Sequence, residues 1–198
     1  RSKATQRDTA ALADSKDTLV DLTDEQLVRR SRLGCVRSFP ELVRRYQVPL
    51  LRFLLQRTRH RAEAEDLLQE SFLRAYQKLD RYSEAWSFKT WLFTIAYRTF
   101  VSALRRDAAA KIAHREPRSD EQQRDHSQVT VLDQIGDREW RAGLWAIAGR
   151  ILDPGQFAVV WLRYVEGLSS EEIARVTRRT QVGVRTILHR SRKRLMPY

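Results

Sequence analysis

Apolar residues recur along most of this chain at three- and four-residue steps, the spacing that gathers them on one face of an α-helix. The first such stretch opens at Thr23, which pairs with Gln26 as a capping box, and it stops at Gly34. A second begins near Ser38-Phe39-Pro40 and carries Phe39, Leu42, Val43, Tyr46, Leu50, Phe53 and Leu54. Pro49 lies inside it and predicts a kink, because proline removes a backbone donor from the helix. A third runs through AEAEDLLQESFLRAYQKL, with Leu67, Leu68, Phe72, Ala75 and Leu79 on its apolar side. A short aromatic loop, RYSEAWSF, leads into a fourth, KTWLFTIAYRTFVSALRR. These stretches predict a compact helical bundle over 21–107.

Between 108 and 136 the period fades, and Pro117 with Ser, Asp and Gln around it reads as a flexible linker. Residues 1–20 are polar without sustained period and read as a flexible extension. Periodicity returns with Trp140, Leu144, Ile147, Ala148 and Ile151. Asp153-Pro154 then restarts a helix, with Asp as N-cap and Pro in the first turn, and Phe157, Val160, Trp161 and Tyr164 carry it to Gly167. Ser169 with Glu172 is a second capping box, opening the short helix SSEEIARV. After a brief turn the last helix spans about 181–195 with Val184, Ile187, Leu188 and Leu195 inward. The expected architecture is all-α, with two small helical domains at 21–107 and 137–198 joined by the linker at 108–136.

Composition supports that reading. Apolar residues make up 42%, enough for packed cores, and Gly and Pro are scarce at 7 and 5. The single Cys35 cannot form an internal disulfide, which fits a reducing cytoplasm, and it is expected as a small buried apolar residue. No apolar run approaches the roughly 18 residues of a membrane span, so no membrane insertion is expected. The opening RSKATQRDTA lacks the apolar stretch of a signal peptide.

Charge changes the picture more. The net charge is +12, and after Glu172 there is no carboxylate while eight Lys and Arg follow. A charge run alone is usually a solvated face. Here it falls on a short capped helix, a turn and a second amphipathic helix, which together describe a helix-turn-helix. The second helix presents Arg185, Thr186, His189, Arg190, Arg192 and Lys193 away from its apolar stripe. Neutralising DNA phosphates needs such a one-signed surplus, and Arg can also bond guanine edges in the major groove.

A second constellation interleaves aromatic and basic groups: Tyr82, Trp86, Phe88, Trp91, Phe93, Tyr97 and Phe100, then Arg105 and Arg106. Flat rings and cations suit single-stranded nucleic acid, although Phe88, Trp91 and Ile95 at helical spacing also read as core. Trp86, in the loop, is the better candidate for a base contact. A third, Asp66, Gln69 and Glu70 beside Leu68 and Phe72, carries carboxylates but no partner base, with only His60 nearby. His60, His114, His126 and His189 lack metal-ligand spacing, and there is no Gly-rich phosphate loop. Neither a catalytic site, a metal nor a cofactor is expected.

The stretches AEDLLQESFLRAY, FKTWLFTIA, LRR, YVEGLSSEEIA and VRTILHRSRKRL, in this order, resemble the extracytoplasmic-function sigma factors of bacterial RNA polymerase. The resemblance covers about 22–107 and 137–198. It implies a non-enzymatic subunit that recruits core RNA polymerase, through its beta and beta-prime subunits, to promoter DNA and helps open it. It implies docking through Asp66, Leu67, Gln69, Glu70 and Phe72. It further implies that Tyr82, Trp86, Phe88, Trp91, Arg98, Arg105 and Arg106 serve strand opening and the downstream element. Arg185, Thr186, His189 and Arg190, with Arg192 and Lys193, would serve the upstream duplex. The linker would thread toward the RNA exit path, and a sequestering anti-sigma factor is a common partner in such a family.

Departures from the family pattern are informative. Arg98 and Ser102 stand where Asn and Asp are usual in the promoter-melting helix. Arg178, Arg179 and Thr180 replace the usual Gly, aliphatic and Pro of the helix-turn-helix turn, which predicts a changed turn or a different left-handed residue, and looser helix packing. Gly183 and Ile187 replace a Thr and an Arg. Two rivals stay open at this point: a helix-turn-helix regulator with a sensing domain, and an RNA-binding or structural adaptor.

Overall fold

A computed structural model describes residues 19–58, 60–113 and 138–197, and side chains at 19–58, 60–110 and 144–197. Helix α1 (Asp24–Arg32) starts on the expected box: Thr23 Oγ1 accepts the Gln26 N–H at 3.3 Å while Gln26 Oε1 accepts the Thr23 N–H at 2.8 Å. It ends at Gly34, whose φ of 90° a side chain would resist. Helix α2 (Ser38–Leu55) runs as one element through Pro49 and buries Leu42, Leu50, Phe53 and Leu54. Cys35 sits half-exposed in the turn between them, not buried as expected, because the chain leaves the core there.

Glu41 is a buried carboxylate at the start of α2. Arg44 donates to both of its oxygens at 2.8 Å, and Arg45 donates at 3.0 Å while also reaching Asp24 at 2.9 Å. The Arg44 hydrogen bonds outweigh burial and hold the Glu41 carboxyl at about 2, against an ordinary 4.5. A lowered carboxylate value stabilises the fold fully above the ordinary value and loses that contribution as pH falls toward 2. Glu41→Gln should therefore cost about 1–3 kcal/mol at neutral pH. It should also flatten the decline in stability between pH 4.5 and 2, measured by urea unfolding across pH. An unchanged acid slope would remove Glu41 from the account.

Helix α3 (Arg61–Gln77) leads through a 3-10 turn (Leu79–Arg81) to α4 (Phe88–Ala113). Leu67, Phe72 and Ala75 of α3 meet Leu92, Phe93, Ala96 and Phe100 of α4 in the core of the first domain. Phe53 sets its ring edge-on to Phe93 at 5.5 Å. Helix α4 continues six residues beyond the expected end at 107, since Ala108, Ala109, Ala110 and Lys111 are strong helix formers. The rest of the expected linker, 114–136, and the extension through residue 18 lie outside the described residues.

In the second domain α5 (Arg138–Ile151), α6 (Pro154–Tyr164), α7 (Ser170–Thr177) and α8 (Gln181–Leu195) enclose Phe157, Trp161, Leu162, Ile173, Val176 and Val184. Trp145 lies 5.8 Å from the Phe157 ring and 4.9 Å from that of Trp161. The caps fall where expected: Asp153 accepts the Gln156 N–H at 2.8 Å, and Ser169 and Glu172 exchange bonds of 3.2 and 2.9 Å. Between α7 and α8, Arg178 takes the left-handed conformation at φ 54°, ψ 42°. A non-glycine residue pays about 1–2 kcal/mol there, which the caps and the buried Val176 and Val184 sustain. The turn geometry is thus kept with arginine in the glycine position, and both helices reach the core.

Candidate nucleic-acid interface

The exposed face of α3 carries Asp66 and Gln69, with half-exposed Glu70 holding Arg74 at 2.5 Å. Leu67 and Phe72 do not join them: at 5% and 8% exposure they point into the core, opposite Asp66, and serve to fix the helix. Sequence reasoning missed Leu73 and Tyr76, which are 53% and 59% exposed on the Asp66 face. The step from 66 to 69, 73 and 76 was the available signal. Tyr76 rests edge-on against Phe39 at 5.0 Å, giving that face an apolar end.

The loop before α4 is pinned from behind. Arg32 donates to the carbonyls of Leu79 at 2.7 Å and Tyr82 at 2.5 Å, and Arg29 holds Glu84 at 2.7 and 2.5 Å. The Tyr82 hydroxyl donates to the Trp86 carbonyl at 2.9 Å. Burial, then nearby Glu25, Glu84 and Asp24, pushes that phenol up to about 12, so it stays a neutral donor. Tyr82 and Phe88 are buried, at 4% and 0%, in a ring cluster with half-buried Trp91. Expected as DNA contacts, they are core residues, because each faces inward. Trp86 stays at the surface with its ring partly open, and Arg98, Arg105 and Arg106 are exposed along α4.

On α8 all six expected residues, Arg185, Thr186, His189, Arg190, Arg192 and Lys193, are exposed, while Val184 is fully buried. Arg192 also borders an apolar recess of about 370 Å³ walled by Leu144, Trp145, Val160 and Leu195, which turns it to the side of the helix. Val182, unremarked in the sequence, is 71% exposed one turn before Thr186, whose hydroxyl donates to the Val182 carbonyl at 3.0 Å.

The two domains meet where α7 lies against α4. Thr90 donates to Glu172 Oε1 at 2.7 Å, and the Lys89 ammonium reaches the Glu166 carboxylate at 3.0 Å and its carbonyl at 2.6 Å. Arg57 donates to the Pro154 carbonyl at 2.5 Å, and the Arg175 guanidinium sits 4.5 Å from the centre of the Trp86 ring. Burial opposes ionisation of Glu172, yet the bonds from the Ser169 N–H and the Thr90, Ser169 and Ser87 hydroxyls hold its carboxyl below the ordinary value. Burial, then Arg178 and Arg175, draws Arg98 below the ordinary guanidinium value. Among the described residues no cluster of His, Cys, Asp and Glu could hold a metal ion, and no helix is long and apolar enough to cross a membrane.

Comparison with known proteins agrees with this arrangement of elements. Sigma-70 region 2 matches residues 42–110 and Sigma-70, region 4 matches 150–195. RNA polymerase sigma factor YlaC of Bacillus subtilis is 31% identical over 158 residues, covering 80% of this chain and 90% of the relative. ECF RNA polymerase sigma factor BldN of Streptomyces coelicolor is 30% identical, covering 87% of this chain and 65% of the relative. The fold is shared with the sigma factor RpoE of Bartonella quintana, solved with the anti-sigma factor NepR, at a TM-score of 0.66 and 22% identity, covering 82% of this chain and 96% of that one. With both sigma-70 regions present in order on their own helical domains, this chain belongs to the extracytoplasmic-function sigma factors, which direct RNA polymerase to promoters.

Proposed function

We propose that this chain is a non-enzymatic, cytoplasmic initiation subunit whose surfaces divide the work of promoter use. The observation that carries the reading is the outward face of α8, where every expected DNA-facing residue is exposed while Val184 anchors the opposite side. Arg185, Thr186, His189, Arg190 and Lys193 read and hold the upstream duplex, and Val182 supplies an apolar contact suited to a thymine methyl. Trp86 with Arg98, Arg105 and Arg106 handles unpaired DNA of the downstream element. The domains of this reading are 21–113 and 137–198. An anti-sigma factor, the partner in the RpoE structure, is proposed as a partner here too. Run-off transcription with purified core polymerase on genomic fragments tests the reading. Start sites that appear only with the chain are expected; transcripts identical to those of core polymerase alone would overturn it.

Docking on core polymerase is assigned to Asp66, Gln69, Glu70, Leu73 and Tyr76 on α3. Asp66→Ala with Gln69→Ala should weaken the complex about tenfold, since few residues dominate such an interface. Both side chains are exposed, so the thermal midpoint should hold. Undiminished co-purification of the double variant with polymerase would move the docking face elsewhere.

A further inference from the structure

Cys35 is the single cysteine of the chain, and it stands half-exposed where α1 gives way to α2. Its backbone is fixed: the Cys35 N–H donates to the Arg30 carbonyl at 3.0 Å, and its carbonyl accepts the Ser38 N–H at 3.2 Å. The thiol therefore sits at the start of an 18-residue helix whose N-cap, Arg37, makes no side-chain cap. The first N–H groups of a helix need an acceptor, and they favour an anion. Beside them the Ser38 hydroxyl is fully buried and has no hydrogen-bond partner among the described residues. That hydroxyl faces the Cys35 sulfur and, with the Arg37 and Ser38 N–H groups and the Arg30 charge, draws the thiol below its ordinary value against the effect of burial. A neutral thiol is a weak acceptor and leaves a buried hydroxyl unsatisfied, whereas a sulfur anion satisfies it. We propose that Cys35 is a redox-modified thiol that exchanges with low-molecular-weight disulfides, and that its adduct obstructs docking of α3 on core polymerase.

The exchange balances within the reacting pair. The Cys35 thiolate attacks one sulfur of the disulfide, a bond from Cys35 to that sulfur forms, and the original sulfur–sulfur bond breaks. Cys35 is oxidised, and the second sulfur leaves as a thiolate that takes a proton from water. Excess thiol runs the same steps backwards. The position of the turn gives the adduct its effect. Phe39, one turn beyond Cys35, packs against Tyr76 at the apolar end of the α3 face. Arg32, just before the turn, donates to the Leu79 carbonyl at 2.7 Å and so holds the turn near the end of α3. Leu33 and Val36 flank the thiol at 77% and 86% exposure, which leaves room for an adduct without repacking the core. A charged tripeptide such as glutathione on Cys35 sets bulk and charge beside an apolar contact surface.

This inference rests on the docking face assigned to α3, and its test separates the two. The full chain is incubated with glutathione disulfide at neutral pH and followed by intact mass. One adduct per chain is expected, on Cys35, forming about fivefold or more faster than in the same chain unfolded in urea. Ser38→Ala should slow the exchange about threefold by removing a donor to the thiolate. Its thermal midpoint should hold or rise, since alanine removes a buried, unpaired hydroxyl. Freed of excess reagent, the modified chain should bind core polymerase about tenfold more weakly and recover with dithiothreitol. Cys35→Ser, taken through the same steps, should bind like the untreated parent. Exchange no faster in the folded chain than in urea overturns the site. Equal rates in parent and Ser38→Ala overturn the part given to Ser38, and undiminished binding of the adduct overturns its effect on docking. The docking face is judged separately, by Asp66→Ala with Gln69→Ala in the unmodified chain: undiminished binding there moves the face, whatever the mass spectra show.

Discussion

Trp86→Ala should slow promoter opening by the holoenzyme on duplex templates while largely sparing binding to a pre-melted template. A base stacked on an aromatic side chain is worth about 1–3 kcal/mol, or roughly five- to 150-fold in rate if the contact is made in the transition state for opening. The indole is suited to that use because its surroundings fix it without burying it. Arg32 ties the Leu79 and Tyr82 carbonyls to α1, and the Tyr82 hydroxyl ties the Trp86 backbone in turn. The ring is free of the Tyr82–Phe88–Trp91 cluster, so the substitution should leave the thermal midpoint near that of the parent. Trp91→Ala makes the contrast. It takes a ring out of that cluster and should cost about 3 kcal/mol or more of domain stability. Stopped-flow opening assays on matched duplex and bubble templates give the measurement. An equal loss on both templates for Trp86→Ala would remove it from strand separation, even if it contacts DNA.

What the sequence made legible was local. Thr23 with Gln26 and Ser169 with Glu172 each form the capping box their three-residue spacing announces, and Asp153, ahead of Pro154, caps the next helix as that pair announces. Residue classes along α8 were legible for the same reason: a stripe containing Val184 leaves the intervening residues pointing out. The first domain was harder. Helix α4 is apolar over much of its circumference, packing against α2 and α3 on one side and α7 on another, so periodicity could not separate its core rings from surface ones. Phe88 was accordingly legible both as core and, with Tyr82, as a DNA contact; both are buried, while Trp86, placed by a loop, stays at the surface. Leu67 and Phe72 show the same confusion on α3, where a motif names a whole segment but only one face of it can meet a partner.

The remaining features depend on tertiary placement. Thr90 and Glu172 are 82 residues apart, and nothing in either neighbourhood announces the other. Glu172 already had a local explanation, as the capping-box carboxylate that accepts the Ser169 N–H through Oε2. Its other oxygen accepts the Thr90 hydroxyl across the domain boundary. At the turn, the missing glycine left two expectations, and the structure selects one of them: Arg178 takes the left-handed conformation and the helices still pack. Both rival readings fall with the sigma-70 region 2 match, since neither a ligand-sensing regulator nor an RNA adaptor accounts for it.

On α8, losses at Arg185 and Lys193 should differ in kind. Arg185 lies in the first half of the helix, the end that enters the major groove in this motif, and its guanidinium is exposed. Arg185→Ala should cost about 1–3 kcal/mol on the preferred upstream element, little on a scrambled one, and relax preference at one position. Lys193 lies two turns further on, where the helix passes the backbone. Lys193→Ala should weaken both DNAs alike and reduce the slope of log affinity against log salt by about one unit, as one released counterion requires. Arg192, turned toward the apolar recess, should cost less than either. Val182 extends the base-reading end: replacing thymine by deoxyuridine at the position it meets should mimic Val182→Ala, because both remove the same methyl contact. Holoenzyme binding across a salt series, on preferred, scrambled and deoxyuridine-substituted elements, separates these effects. If Arg185→Ala and Lys193→Ala lose affinity equally on both the preferred and the scrambled DNA, the helix holds phosphates along its whole length, and sequence must be read elsewhere.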